Sequence, residues 1–111
     1  MEMTQAIEAL GALAQETRLS VYRLLVRQGP NGMNAGDIAK ELGVTPATLS
    51  HHLAYLERAG LLRSWRVQRQ IFYAAAYDGM RQLLTFLTED CCQGRPELCG
   101  KITQSTERAL S

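Results

Sequence analysis

The chain has 111 residues, a formal net charge of +1 and three cysteines. That length predicts one domain, and a domain of this size buries only about two thirds of the surface its unfolded chain exposes, so association with a second copy would help it. No apolar run is long enough to cross a bilayer, the first fifteen residues carry Glu2 and Glu8 with no basic residue, and the odd cysteine count argues against a disulfide framework; the expectation is a cytoplasmic protein with reduced thiols and no membrane partner.

Met3, Ile7, Leu10 and Ala14 recur at steps of four and three, the period of a helix with one apolar stripe. Leu19, Tyr22, Leu25 and Val26 repeat the pattern until Gly29, Pro30 and Gly32 end it. Next, "NAGDIAKELG" opens with Asn34 as an N-cap and Asp37 three residues on, carries Ile38, Ala39 and Leu42 inward and closes at Gly43. "TPATLSHHLAYLERAG" begins with Thr45 as N-cap and Pro46 at the first helical position, buries Leu49, Leu53 and Leu56, and ends at Gly60. Two short helices joined by "GVT" form the pattern of a helix-turn-helix.

After Gly60, "LLRSWRV" and "QIFYAAA" are rich in β-branched, aromatic and aliphatic residues and are separated by Gln68 and Arg69, which predicts a small β-hairpin. From Asp78, read as an N-cap, a last helix places Met80, Leu83, Leu84 and Leu87 on one face. This helix and the first can bury a shared apolar seam between two copies. A further helix, "KITQSTERAL", is expected near the end of the sequence. The fold class is mainly α with a small β-hairpin. Residues 1–90 form the domain and residues 91–111 a cysteine-containing tail.

Charge is distributed unevenly. Residues 1–57 hold four basic and six acidic side chains, whereas residues 58–77 hold Arg58, Arg63, Arg66 and Arg69 and no acid. Four spaced arginines alone describe a solvated strand face; following a helix-turn-helix, they describe a basic wing. The second helix of such a motif enters the major groove of double-stranded DNA by its N-terminal residues, and removing the buried leucines leaves Ala47, Thr48, Ser50 and His51 to face base edges. Arg63, Arg66 and Arg69 can then meet phosphates or lie in the minor groove. His51 and His52 point about 100° apart on a helix, and His51 lies away from Leu49 and Leu53, so it is the one expected at DNA. A metal site on this pair lacks an accompanying carboxylate or cysteine at ligand spacing within the helix.

"ALAQETRLSVYRLLV", followed by "IAKELGVTPATLSHHLAYLERAGLLRSWRVQRQIFYAAA", resembles the ArsR/SmtB family of metalloregulatory winged-helix repressors over residues 6 to 90. The resemblance implies a winged helix-turn-helix homodimer built on the first and last helices, bound to a palindromic operator until a toxic metal or metalloid binds. Wings of the family often turn on a glycine, whereas this tip reads Val67, Gln68, Arg69. Many members carry a thiolate pair on the helix before the recognition helix, and others bind zinc-like ions between the last helices through His and carboxylates. Residues 32–43 contain no cysteine, and residues 78–90 no histidine.

The sensing candidates are therefore Cys91, Cys92 and Cys99, which fall within nine positions. Adjacent residues of a continuous helix diverge by about 100°, so the helix must end there for both sulfurs to meet one ion, and Gly94 and Pro96 allow the chain to bring Cys99 back beside them. Thiolates select thiophilic ions, and tetrahedral zinc wants a fourth ligand. Trivalent arsenic carries a lone pair in that direction and accepts three sulfurs, as does Sb(III), which makes As(III) the best chemical match for an inducer. The resemblance agrees, because some arsenite-responsive members carry three cysteines at the end of the last helix. Cadmium, lead or mercury could use the same sulfurs, zinc could add Glu89, Asp90, Glu97 or water, and organic trivalent arsenicals need only two thiols. A disulfide redox switch through Cys99 is the nearer alternative. An enzyme such as a thiol-based arsenate reductase is not expected, since neither a phosphate-cradling glycine pattern nor a histidine beside the thiols is present.

Overall fold

The computed structural model describes residues 1–89 as five helices and a small sheet. Helix α1 spans Met3–Leu13, α2 Glu16–Gln28, α3 Ala35–Leu42, α4 Pro46–Arg58 and α5 Tyr77–Thr88. Strands β1 (Met33–Asn34), β2 (Leu62–Val67) and β3 (Gln70–Ala75) form an antiparallel sheet in the order β1-β3-β2. The mainly helical fold with a winged hairpin is the architecture expected from the sequence. Strand β1 was not, because two residues are too few for alternation to register; it adds Met33 opposite Tyr73 and Asn34 opposite Phe72. The cysteine tail and the "KITQSTERAL" segment lie outside the described residues.

Helix α1 turns its small residues inward. Ala6, Ala9 and Ala12 are at most 2 % exposed, while Met3 and Ile7 are 63 % and 62 % exposed. Alanine lets the α1 backbone approach α2 and α4 closely, and the bulky stripe is left on the outside of the single chain, where a second copy could cover it. In α2 the inward face is Val21, Tyr22, Leu24 and Leu25. Leu19 and Val26, expected beside Tyr22 and Leu25, are instead exposed, because α2 is clamped between α1 and the α3/α4 unit and its buried arc is rotated towards Val21.

Local signals hold at the helix-turn-helix. The Asn34 side chain accepts from the Asp37 N–H at 2.8 Å and caps α3, and Gly43 ends that helix in the left-handed region at φ 66°, where a β-carbon would be strained. Thr45 caps α4 by accepting from the Thr48 N–H at 3.3 Å. Leu49, Leu53 and Leu56 are buried as predicted. The last helix departs from expectation at its start: Ala76 is the N-cap, and Asp78 lies inside the first turn, paired with Arg81 at 3.3 Å. The chain is already committed there, since the Ala76 N–H donates to the Leu61 carbonyl and its carbonyl accepts from Met80. A carboxylate in the first turn suits the positive end of the helix dipole. No helix of the described residues is long and apolar enough to cross a membrane.

Candidate nucleic-acid interface

The leucine stripe of α4 faces the core and thereby orients the opposite arc of that helix outward. Ala47, Thr48, Ser50 and His51 are all exposed on it. The Thr45 hydroxyl donates to the Thr48 hydroxyl at 2.9 Å, which orders the first turn and leaves Ser50 and His51 as the freer polar groups. His52 is half-buried and faces α2, with Nδ1 3.4 Å from Arg18. Burial first, then the Arg18 guanidinium and His51, lower its pKa below the ordinary histidine value.

The wing is tied to α4 by the Ser64 hydroxyl, which donates to Glu57 Oε2 at 2.6 Å. Strand alternation puts Ser64 and Arg66 on one face of β2 and Arg63, Trp65 and Val67 on the other. Arg63 is engaged on its own side: it donates to the Pro30 carbonyl at 2.8 Å and lies 4.6 Å from the Trp65 ring centre, while Trp65 stacks on its cross-strand partner Phe72 at 5.9 Å. Arg66 donates to the Gln68 carbonyl at 3.1 Å across the wing tip. Arg69 lies in the two-residue turn and lines a cleft of about 400 Å³ with Asn34, Pro46, Ser50, Gln70 and Tyr73. The structure therefore brings Ser50 and Arg69 to one concave surface, with Arg66 on the strand face that packs towards α4, and places Arg63 on the reverse face.

Among the described residues the one ion pair is Asp78 with Arg81, so no arginine of the wing is ion-paired to a carboxylate there. No cluster of three His, Cys, Asp or Glu that could hold a metal occurs among the described residues. Cys91, Cys92 and Cys99 lie outside them. Arg18 was missed by sequence reasoning. It sits in the first turn of α2, where periodicity marks a polar residue as solvated, and nothing in the sequence announces its contacts with another helix.

A helix whose polar first turns are exposed, set beside a basic hairpin, defines a winged helix-turn-helix DNA-binding regulator. The sequence pattern of a helix-turn-helix domain family matches residues 13–64. The transcriptional activator HlyU of Vibrio cholerae is 28% identical over 89 residues, covering 80% of each protein. A structure of that protein is 30% identical, with a TM-score of 0.63 over 78% of this chain and 97% of the other, and a reduced form has also been solved. The homodimeric winged helix-turn-helix domain of a possible ArsR-family regulator from Mycobacterium bovis is 26% identical, with a TM-score of 0.65 over 84% of this chain and 86% of that one. A possible transcriptional regulator for arsenical resistance is 25% identical, with a TM-score of 0.64 over 72% of this chain and 80% of that chain. The chain belongs to the ArsR/HlyU family of winged helix-turn-helix transcriptional regulators.

Proposed function

We propose that this regulator is an arsenite-responsive repressor, bound to operator DNA as a homodimer and released when As(III) is held by Cys91, Cys92 and Cys99. The observation that carries this reading is the gathering of every cysteine of the chain into nine positions shortly after α5. Three thiolates match the donor preference of a trivalent, thiophilic element that keeps a lone pair, Sb(III) and organic trivalent arsenicals included. The similarity to a possible regulator for arsenical resistance supports it. At the DNA, Ala47, Thr48, Ser50 and His51 face base edges and Arg66 and Arg69 meet phosphates, with Arg63 setting the wing against the Pro30 loop. The outward Met3, Ile7 and Leu10 of α1 and Leu87 of α5 support a seam between copies, as does the homodimeric relative.

A coupling of about 1 to 3 kcal/mol between thiols and DNA would weaken operator binding roughly 5- to 150-fold. The test is a mobility-shift titration of the reduced protein with arsenite, beside single Cys→Ser variants of the three positions. Release that is lost in the variants is expected. Release that persists in all of them removes the arsenic reading. A second reading places a disulfide between Cys99 and Cys91 or Cys92, favoured by the likeness to a regulator solved in a reduced form. In that case a thiol oxidant releases the DNA and arsenite does not.

A further inference from the structure

We infer that Arg18 positions the recognition helix α4 for DNA, and that it does so while His52 is neutral. The inference rests on the reading of α4 as the DNA-contacting helix. The Arg18 side chain joins three helices. Its Nε donates to the Ala12 carbonyl at 2.7 Å and Nη2 to the Gly11 carbonyl at 3.4 Å, so it caps the C-terminal end of α1, where carbonyls lack helical partners and the dipole favours a cation. Its own N–H donates to the Gln15 side chain at 2.9 Å, which holds the start of α2. On the far side, Nη1 meets His52 Nδ1 at 3.4 Å, and the guanidinium lies 4.2 Å from the Tyr55 ring centre. One side chain thus spans the gap between the outward-striped helix α1 and the face of α4 behind Ser50 and His51.

A guanidinium has only N–H donors. His52 Nδ1 must accept, which requires the neutral ring with its proton on Nε2. A proton added at Nδ1 removes the lone pair and sets a second positive charge against Arg18. The groups facing His52 are Arg18 from α2 and His51 from its own helix, and among the described residues it has no carboxylate partner to offset that charge. Acidification therefore detaches α4 from the strut at the position next to His51.

The test uses the full-length reduced protein and a duplex recovered by selection from random-sequence DNA, with affinity measured at pH 8 and pH 6 at constant ionic strength. Wild-type affinity is expected to fall on acidification by up to about 4-fold per protomer, the most that a ring with a pKa below the ordinary histidine value can contribute between pH 8 and pH 6. His52→Asn keeps an acceptor near the Nδ1 position without a titrating ring, so its affinity should change less between the two pH values than that of the wild type. Arg18→Lys keeps the charge but cannot serve both helices and the ring together, and its binding should be weak at both pH values while its circular dichroism remains helical. A ratio for His52→Asn equal to that of the wild type overturns the inference. Failure of selection to recover any duplex bound by wild type at pH 8 overturns instead the DNA-binding reading beneath it.

Discussion

Gly79, in the first turn of α5, rests its α-carbon against the carbonyl oxygen of Gly60, the residue just past the end of α4. A β-carbon at position 79 would overlap that oxygen, and the neighbour is backbone that cannot rotate away. The first turn of α5 is therefore seated on the turn that follows the recognition helix without an intervening side chain. Gly79→Ala is expected to destabilise the protein by about 1–3 kcal/mol, the usual cost of overpacking. Urea denaturation should show a lower midpoint with an unchanged slope; an unaltered midpoint would mean that α5 can shift freely.

The wing turns without a glycine. Gln68 occupies φ 57°, the only positive φ among the described non-glycine residues. Such a conformation costs an ordinary residue roughly 1 kcal/mol relative to glycine. Gln68→Gly is expected to stabilise the fold by a fraction of that amount, after the extra freedom of glycine in the unfolded chain is offset. Thermal melts of the two proteins compare them directly, and a lower Tm for the variant would contradict this account.

The Tyr22 hydroxyl is buried with no hydrogen-bond partner among the described residues, and burial, aided by Tyr77, pushes its pKa up to about 12. The folded state holds this proton more tightly than the unfolded chain, whose tyrosine titrates near 10. Its share of stability is therefore complete below about pH 10 and is lost as pH rises towards 12. Tyr22→Phe should be neutral or stabilising at pH 7, by about 1 kcal/mol where an unsatisfied group is removed, and should flatten the alkaline decline. Denaturation at pH 7, 9.5 and 11 checks both statements.

Ile7 is 62 % exposed at the centre of the α1 stripe. If that stripe is the seam between copies, Ile7→Asp desolvates a carboxylate there and should yield a monomer. Light scattering reads the mass; a variant with the same oligomeric state as wild type would move the seam elsewhere.

Arg69 lines the cleft with Ser50, whereas Arg63 is held by the Pro30 carbonyl and Trp65. Arg69→Ala should reduce the slope of log affinity against log salt by about 0.9 for each phosphate that the arginine neutralises. Arg63→Ala should act mainly on stability. Equal slopes for Arg69→Ala and wild type would show that Arg69 meets no phosphate.

The two helices of the DNA-binding motif were legible because their signals are local. A side chain at Asn34 or Thr45 reaches an N–H three residues on, and Leu49, Leu53 and Leu56 obey the helical period whatever lies beneath them. The hairpin was legible for the same reason, with two apolar runs separated by two residues and paired Val67 to Gln70. The start of α5 was misread at Asp78 because its cap is set by the hydrogen bond from Ala76 to Leu61, across the whole length of the hairpin, which no local pattern records.

By itself the amino-acid sequence determined the order of helix, turn, helix and wing, the exposed residues Ala47, Thr48, Ser50 and His51, and the gathering of Cys91, Cys92 and Cys99. Only the tertiary structure decided that α1 turns its alanines inward and its large residues out, that Arg69 shares a surface with Ser50 while Arg63 does not, and that Arg18 reaches α4. The physical reason is range. Caps and helical periods are satisfied within a few residues, whereas which face a helix buries and which partner a long cation finds depend on surfaces brought together from distant parts of the chain.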